Sequence, residues 1–326
     1  MDMTRAFQDP SSLDAIPPSP SRHRRKRGLS LALQGGGAFG AFTWGVLDRL
    51  LEQQIAFDAI SGASSGAINA VLLTSGMQDG GHAAARERLE RFWRTASELA
   101  GCMEAAKGLG LRLPRGLSPY QFNPLGINPL RELLRELIDF EKLADADISL
   151  LVATTRVRDG QLRIFRNSDL SMDAVLASAA LPMVHHAIQI DDEWYWDGGY
   201  AANPPLIPLA MESRGNEVLV VQIVPMNGED LPRTSREING RLAQMAFNRP
   251  LMQELGTIAE LKGSRSAGVF GDSVSRKLRR LRLHHIKAED MLDGMPRQSA
   301  LNLDWTFLST LRDAGRAAAE GWLERD

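Results

Sequence analysis

Residues 29–40 read Leu29-Ser30-Leu31-Ala32-Leu33-Gln34-Gly35-Gly36-Gly37-Ala38-Phe39-Gly40, and their reading decides the fold. A short apolar run stops at one polar residue and three glycines, the pattern of a buried strand entering a tight loop. Phe42, Val46, Leu47, Leu50 and Leu51 then recur at helical spacing, so strand, glycine loop and amphipathic helix are expected in that order. A second unit of the same kind follows. A strand is predicted over residues 56–60, breaking at Ser61-Gly62 and passing into an apolar helix through Ile68, Val71 and Leu72.

Working outward, residues 149–157 and 162–165 read as a strand pair across Arg158-Asp159-Gly160, and residues 217–224 form the β-rich run of a buried parallel strand. Asn128-Pro129-Leu130 restarts a helix with proline in its first turn. Residues 303–324 have helical periodicity. The cations Arg276, Lys277, Arg279, Arg280 and Arg282 alternate partly with Leu278, Leu281 and Leu283, which reads as a strand with one basic face leading to His284-His285. Strands alternating with helices imply an α/β layer architecture.

The chain of 326 residues is long enough to bury a large core without covalent staples, and its single cysteine, Cys102, leaves no intramolecular disulfide. A reducing, cytoplasmic setting is expected. Two stretches of 20 residues lack charge, 28–47 and 59–78, but the first holds six glycines and the second four serines and Asn69, which excludes a bilayer span. Residues 1–27 carry six Lys/Arg against three Asp/Glu and read as a disordered basic tail without a signal-peptide core. The remainder sits at −5, which argues against a nucleic-acid partner. In the tail, Arg22, Arg24, Arg25, Lys26 and Arg27 are either a solvated linker or a peripheral contact with an anionic membrane surface.

The glycine loop, between a strand and a helix N-terminus, aims backbone N–H groups into one concavity and so suits an anion. It also spells G-x-G-x-x-G, which raises a nucleotide-binding module. That reading wants an acidic residue at the end of the second strand, whereas Asp58 lies early in it. The strand ends instead in Gly62-Ala63-Ser64-Ser65-Gly66, a G-x-S-x-G elbow that exposes a serine, Ser64; its bland alternative is a helix N-cap. A nucleophile beside an oxyanion hole is what acyl transfer requires. For the base, a Ser–Asp–His order offers Asp197 with His284 or His285. Asp197 itself, in Trp194-Tyr195-Trp196-Asp197-Gly198-Gly199, is the other candidate, since partial desolvation raises a carboxyl pKa.

The Gly35–Gly40 loop, the G-x-S-x-G of Ser64 and Asp197-Gly198, in that order on a βα framework, resemble the patatin-like phospholipase family. The resemblance implies a three-layer α/β fold, a mostly parallel central sheet flanked by helices, with a helical C-terminal extension. It implies a Ser64–Asp197 dyad without histidine, an oxyanion hole from Gly35, Gly36 and Gly37, and supporting parts for Gly40, Gly62, Gly66, Gly198 and Gly199. The substrate it implies is a phospholipid or another acyl-ester lipid, hydrolysed without metal or cofactor. Residues 28–211 would be the catalytic domain and 212–326 would complete the sheet and add the extension. Residues 100–128, poor in periodicity, read as a loop capping the acyl pocket. Stretches around Phe247-Asn248 and Glu254-Leu255, and around Asp304-Trp305 and Asp313-Ala314-Gly315, resemble bacterial members and read as scaffold helices. Many members carry Arg or Lys where this chain has Phe39. A lipid-binding protein without turnover is the remaining alternative.

Overall fold

The computed structural model describes residues 28–108, 117–226, 231–263, 273–288, 291 and 300–325. The basic tail of residues 1–27 lies outside them. Strand β1 (Leu29–Leu33) is buried at all five positions, as an apolar run with helices on both sides must be. The glycine loop follows, then a 3₁₀ turn over Gly37–Phe39 and helix α1 (Gly40–Glu52). Strand β2 (Phe57–Gly62) leads through the serine elbow into α2 (Ser65–Gly108), which is broken at Gly80 and Gly81. After α3 (Pro129–Leu137), capped by the Asn128 side chain on Leu130 N–H, come β3 (Ser149–Arg156), β4 (Leu162–Arg166), α4 (Met172–Ser178), β5 (Ile188–Ile190) and β6 (Glu193–Asp197). The chain closes with α5 (Leu206–Glu212), β7 (Glu217–Gln222), α6 (Ser235–Gly263), α7 (Ser273–Arg280), β8 (Arg282–Lys287) and α8 (Trp305–Arg325).

These strands form one sheet in which β3, β2, β1, β7 and β8 run parallel, while β4, β6 and β5 are joined antiparallel. The register holds one detail that positions the site. Val152 of β3 pairs with Gly62 and Phe165, and Thr154 pairs with Asp197 and Arg163. Since β4 runs along one edge of β3, β2 and β6 must share the other, end to end. The carboxyl end of β2 therefore meets Asp197 two rungs along β3.

Helices cover both faces. Leu219 and Val221 of β7 point into the core beneath α1, α2 and α8, whereas Val218 and Val220 point into the one beneath α5, α6 and α7. Burying one such aliphatic side chain stabilises the fold by about 1.5–3 kcal/mol. Helix α8 presents Leu308, Leu311, Gly315, Ala319 and Trp322 inward at spacings of three and four, the stripe of an amphipathic helix. Its outer edge reaches α1 through Arg316, paired with Asp48 and Glu52.

Two local expectations are corrected. Residues 276–280 are the end of helix α7 rather than a strand; Leu278 is buried within the helix and Leu281 just beyond it, and extended structure begins only at Arg282. The segment from residue 100 is not loop throughout, because α2 continues to Gly108. Gly101 and Cys102 on this helix are exposed, and residues 109–116 of the expected loop lie outside the described residues.

Candidate active site

The glycine loop is held from behind by side-chain amides. Gln34 Oε1 accepts the N–H groups of Ile223 and Val224, each at 2.8 Å, and Gln34 Nε2 donates to Asn248 Oδ1 at 2.9 Å. Asn203, fully buried, clamps Gly35 from both sides: its Oδ1 accepts Gly35 N–H at 2.7 Å, and its Nδ2 donates to Gly35 O at 3.2 Å and to Phe247 O at 3.2 Å. Such satisfied, buried networks fix a loop in one conformation. Gly35 N–H is thereby committed to Asn203. Gly36 N–H donates to Ser65 Oγ at 3.2 Å, and Gly37, at φ +62°, turns the chain into the 3₁₀ segment. Phe39 is buried and meets Phe307 of α8 edge-on at 6.4 Å, so a cation at this position would have no solvent to face.

Loop and elbow nearly touch. A Cβ on Gly66 would stand 2.1 Å from Leu33 O, and one on Gly35 would stand 2.5 Å from Ala63 O, so only glycine fits either position. Gly40 and Gly62 lie in the same crossing, against Ser65 and Ala67. Ser64 takes φ +53°, a left-handed conformation that costs a non-glycine residue on the order of 1–3 kcal/mol. Ser178 at the end of α4 restrains it, both its carbonyl and its hydroxyl oxygen accepting Ser64 N–H at 3.0 Å.

Asp197 ends β6 beside this elbow. Its N–H donates to Ala180 O at 2.9 Å, its carbonyl accepts from Thr155 Oγ1 at 2.8 Å, and its Oδ1 accepts Gly199 N–H at 2.8 Å. Gly198 packs against Ala153 O, and Gly199 against Phe247. The carboxyl is completely buried, and burial pushes its pKa up to about 7 against the smaller opposing pulls of Gly199 N–H and the Ser64 hydroxyl. Ser64 is thus the side chain that Asp197 faces. Oδ2 has no hydrogen-bond partner among the described residues, so the two side chains stand opposed without a closed hydrogen bond.

The other candidates fall elsewhere. His284 and His285 lie on β8, three strands from β2 at about 4.8 Å per step, and His284 packs against Trp322 with Glu217 at 3.6 Å. His186 stacks on Tyr120, and burial lowers the His185 pKa. Asp58 accepts from Ser30 Oγ at 2.5 Å and from the N–H groups of Arg214 and Gly215 at 2.8 and 3.1 Å, which ties the amino-terminal end of β2 to the turn before β7 and leaves it no ribose to bind. Among the described residues, no group of three His, Cys, Asp or Glu side chains could hold a metal ion.

Sequence reasoning missed Asn203, Ser178, Gln34 and Asn248 as supports. Gln34 was visible as a lone amide closing an apolar strand, but its partners arrive from 189 to 214 residues away along the chain. Glu254, also on α6, caps α5 by accepting the N–H groups of Leu206 and Ile207 at 2.5 and 2.8 Å, and burial raises its pKa to about 6.

Among solved structures, VipD from Legionella pneumophila is similar at 18% identity, covering 89% of this chain and 67% of that one, with a TM-score of 0.38. The ExoU chain of the ExoU–SpcU complex from the type III secretion system of Pseudomonas aeruginosa is similar at 18% identity, covering 90% and 75%, with a TM-score of 0.33. No curated protein matches the chain. The family model described as patatin-like phospholipase matches residues 31–210, from the first strand past Asp197, and with more than half its length so matched the chain belongs to the patatin-like phospholipase family.

Proposed function

We propose that the protein is a lipid acyl hydrolase of phospholipase A or lysophospholipase type, working through a Ser64–Asp197 dyad. The observation that carries this reading is the buried Asp197 carboxyl, raised to about 7, facing a serine held at φ +53°. A general base is most effective when its pKa lies near the working pH.

Ser64 Oγ attacks the ester carbonyl carbon and gives its proton to Asp197. The carbonyl oxygen, now an oxyanion, accepts the N–H groups of Gly36 and Gly37, with Ser65 Oγ giving way on Gly36. Gly35, its own N–H spent on Asn203, positions its two neighbours. As the intermediate collapses, the C–O bond to the alcohol breaks and the alcohol oxygen takes the proton from Asp197, leaving an acyl-serine. Water then loses a proton to Asp197 and attacks the acyl carbon, and Ser64 leaves with that proton as the fatty acid is released. Removing one oxyanion donor costs roughly 10²–10³ in rate in such sites.

A fluorophosphonate probe on the purified chain, followed by peptide mapping, tests the assignment. Label is expected on Ser64 alone, with Ser64→Ala abolishing both labelling and release of fatty acid from lipid esters. Label on Ser61 or Ser65, or none, would sink it.

A further inference from the structure

The hydrolytic scheme uses only Asp197 of the β5–β6 hairpin, although that hairpin also carries two tryptophans. Side chains alternate along β6, so Tyr195 and Asp197 take one face and Trp194 and Trp196 the other. Tyr195 is buried against Phe165, whereas Trp194 is 48% exposed. Trp194, Trp196 and Tyr120 line a cavity of about 370 Å³, and its charged groups are Arg158 and Glu193, paired at 2.8 Å. Tyr120 comes from a separate one-turn helix, Pro119–Phe122, and is fixed in place. Its ring stacks on His186 at 4.1 Å between centroids, and its hydroxyl accepts Ala187 N–H at 3.2 Å.

Three aromatic rings around one cavity suit a weakly hydrated cation, because the negative faces of the rings attract positive charge and a quaternary ammonium loses little hydration on entering. The ion pair narrows the choice further. A ligand carrying only negative charge would meet Glu193, and one carrying only positive charge would meet Arg158; a zwitterion matches both. Arg156, the next cation along β3, is taken up by Asp159 at 2.9 and 2.6 Å and adds no net charge. Trp196 pairs with Thr155 and Asp197 with Thr154, so the cavity wall and the proposed base are neighbouring residues of β6 that project to opposite faces of the sheet.

We propose that this cavity binds the glycerophosphocholine-type head group of the lipid substrate: Trp194, Trp196 and Tyr120 surround the trimethylammonium with Glu193 facing it, and Arg158 takes the phosphodiester. The head-group assignment rests on the hydrolase reading, while the binding chemistry does not.

Calorimetric titration of the full chain with sn-glycero-3-phosphocholine and with tetramethylammonium tests the site without turnover. Both are expected to bind saturably. Trp194→Leu, which keeps apolar bulk but removes the ring, should weaken both by about thirtyfold, and Trp194→Phe by much less. Arg158→Ala should weaken only the phosphodiester. Melting curves identify a variant that fails to fold, in which case the Phe and Ala variants carry the test. In parallel, kcat/KM for dihexanoyl phosphatidylcholine should exceed that for the phosphatidylglycerol analogue by about tenfold or more, the scale of one such contact. Trp194→Leu should erase that preference.

Absence of saturable binding overturns the site. Binding of glycerophosphocholine with equal hydrolysis of the two lipids overturns the head-group assignment in favour of a free soluble ligand. Binding with no ester hydrolysed at all removes the hydrolase reading and leaves the zwitterion site standing.

Discussion

Replacing Asp197 by Asn should do two opposite things, and the size of the second follows from burial. Activity should fall by roughly 10²–10⁴, because the isosteric amide cannot take the Ser64 proton. Stability at alkaline pH should rise. In the folded chain the carboxyl keeps its proton up to about pH 7, against an ordinary 3.8, so the folded state holds more protons than the unfolded state between those values. The stability contribution is intact below about pH 4, declines as pH rises through the window, and is lost above about pH 7. Relative to acid pH, this costs the wild type about 4 kcal/mol at pH 8, where the buried carboxylate is charged, and about 2 kcal/mol at pH 5, where folding must protonate a group that the unfolded chain leaves ionised. The amide never incurs this cost. Urea unfolding of both chains at pH 5 and pH 8 should show Asp197→Asn more stable at both, with the gain about twice as large at pH 8; the difference between variants cancels other titrating groups such as Glu254. A variant less stable than wild type at pH 8, or an equal gain at both pH values, would refute the argument that a desolvated carboxylate occupies the site. Activity within tenfold of wild type would refute its role as base.

For the wild type, kcat/KM on a soluble short-chain ester should rise with pH and level off above about 7, as a base must be unprotonated to act; a profile flat from pH 5 to 8 would contradict it. Replacing His284 and His285 by Ala, singly or together, should change that rate by less than about tenfold, below the range of a lost general base. A loss comparable to that of Ser64→Ala would instead require a triad. Asn203→Ala should destabilise the chain by about 1–3 kcal/mol, since it strands the Gly35 N–H, and should lower kcat more than it raises KM because the loop donors shift; rates unchanged beside a lowered melting temperature would reduce Asn203 to scaffold. Deleting residues 1–27 should weaken adsorption to anionic vesicles at low salt, about 1 kcal/mol per cation near the surface, and leave soluble-ester turnover unchanged. Equal adsorption by both chains would make the tail a linker.

By itself the sequence determined the local geometry of this protein. Apolar runs punctuated by Gly35–Gly37 and by Gly62-Ala63-Ser64-Ser65-Gly66 leave few conformations open, because glycine placement and hydrophobic period act between near neighbours and depend little on what packs later. Strands β1, β2, β3, β4 and β7, the elbow and the candidacy of Ser64 and Asp197 were legible for that reason. Helix α7 was not, since alternating Arg and Leu over so few residues fits both periods and only burial of Leu278 and Leu281 separates them. Tertiary structure alone decided which groups meet. The sharing of one edge of β3 by β2 and β6 brings Asp197 to the serine, and the same strand order carries His284 and His285 to the far side of the sheet. It likewise decided that Asn203 and Asn248 support the glycine loop and that burial lifts the Asp197 carboxyl to about 7, for desolvation and long-range hydrogen bonds are properties of packed surroundings, which a linear string of residues does not contain.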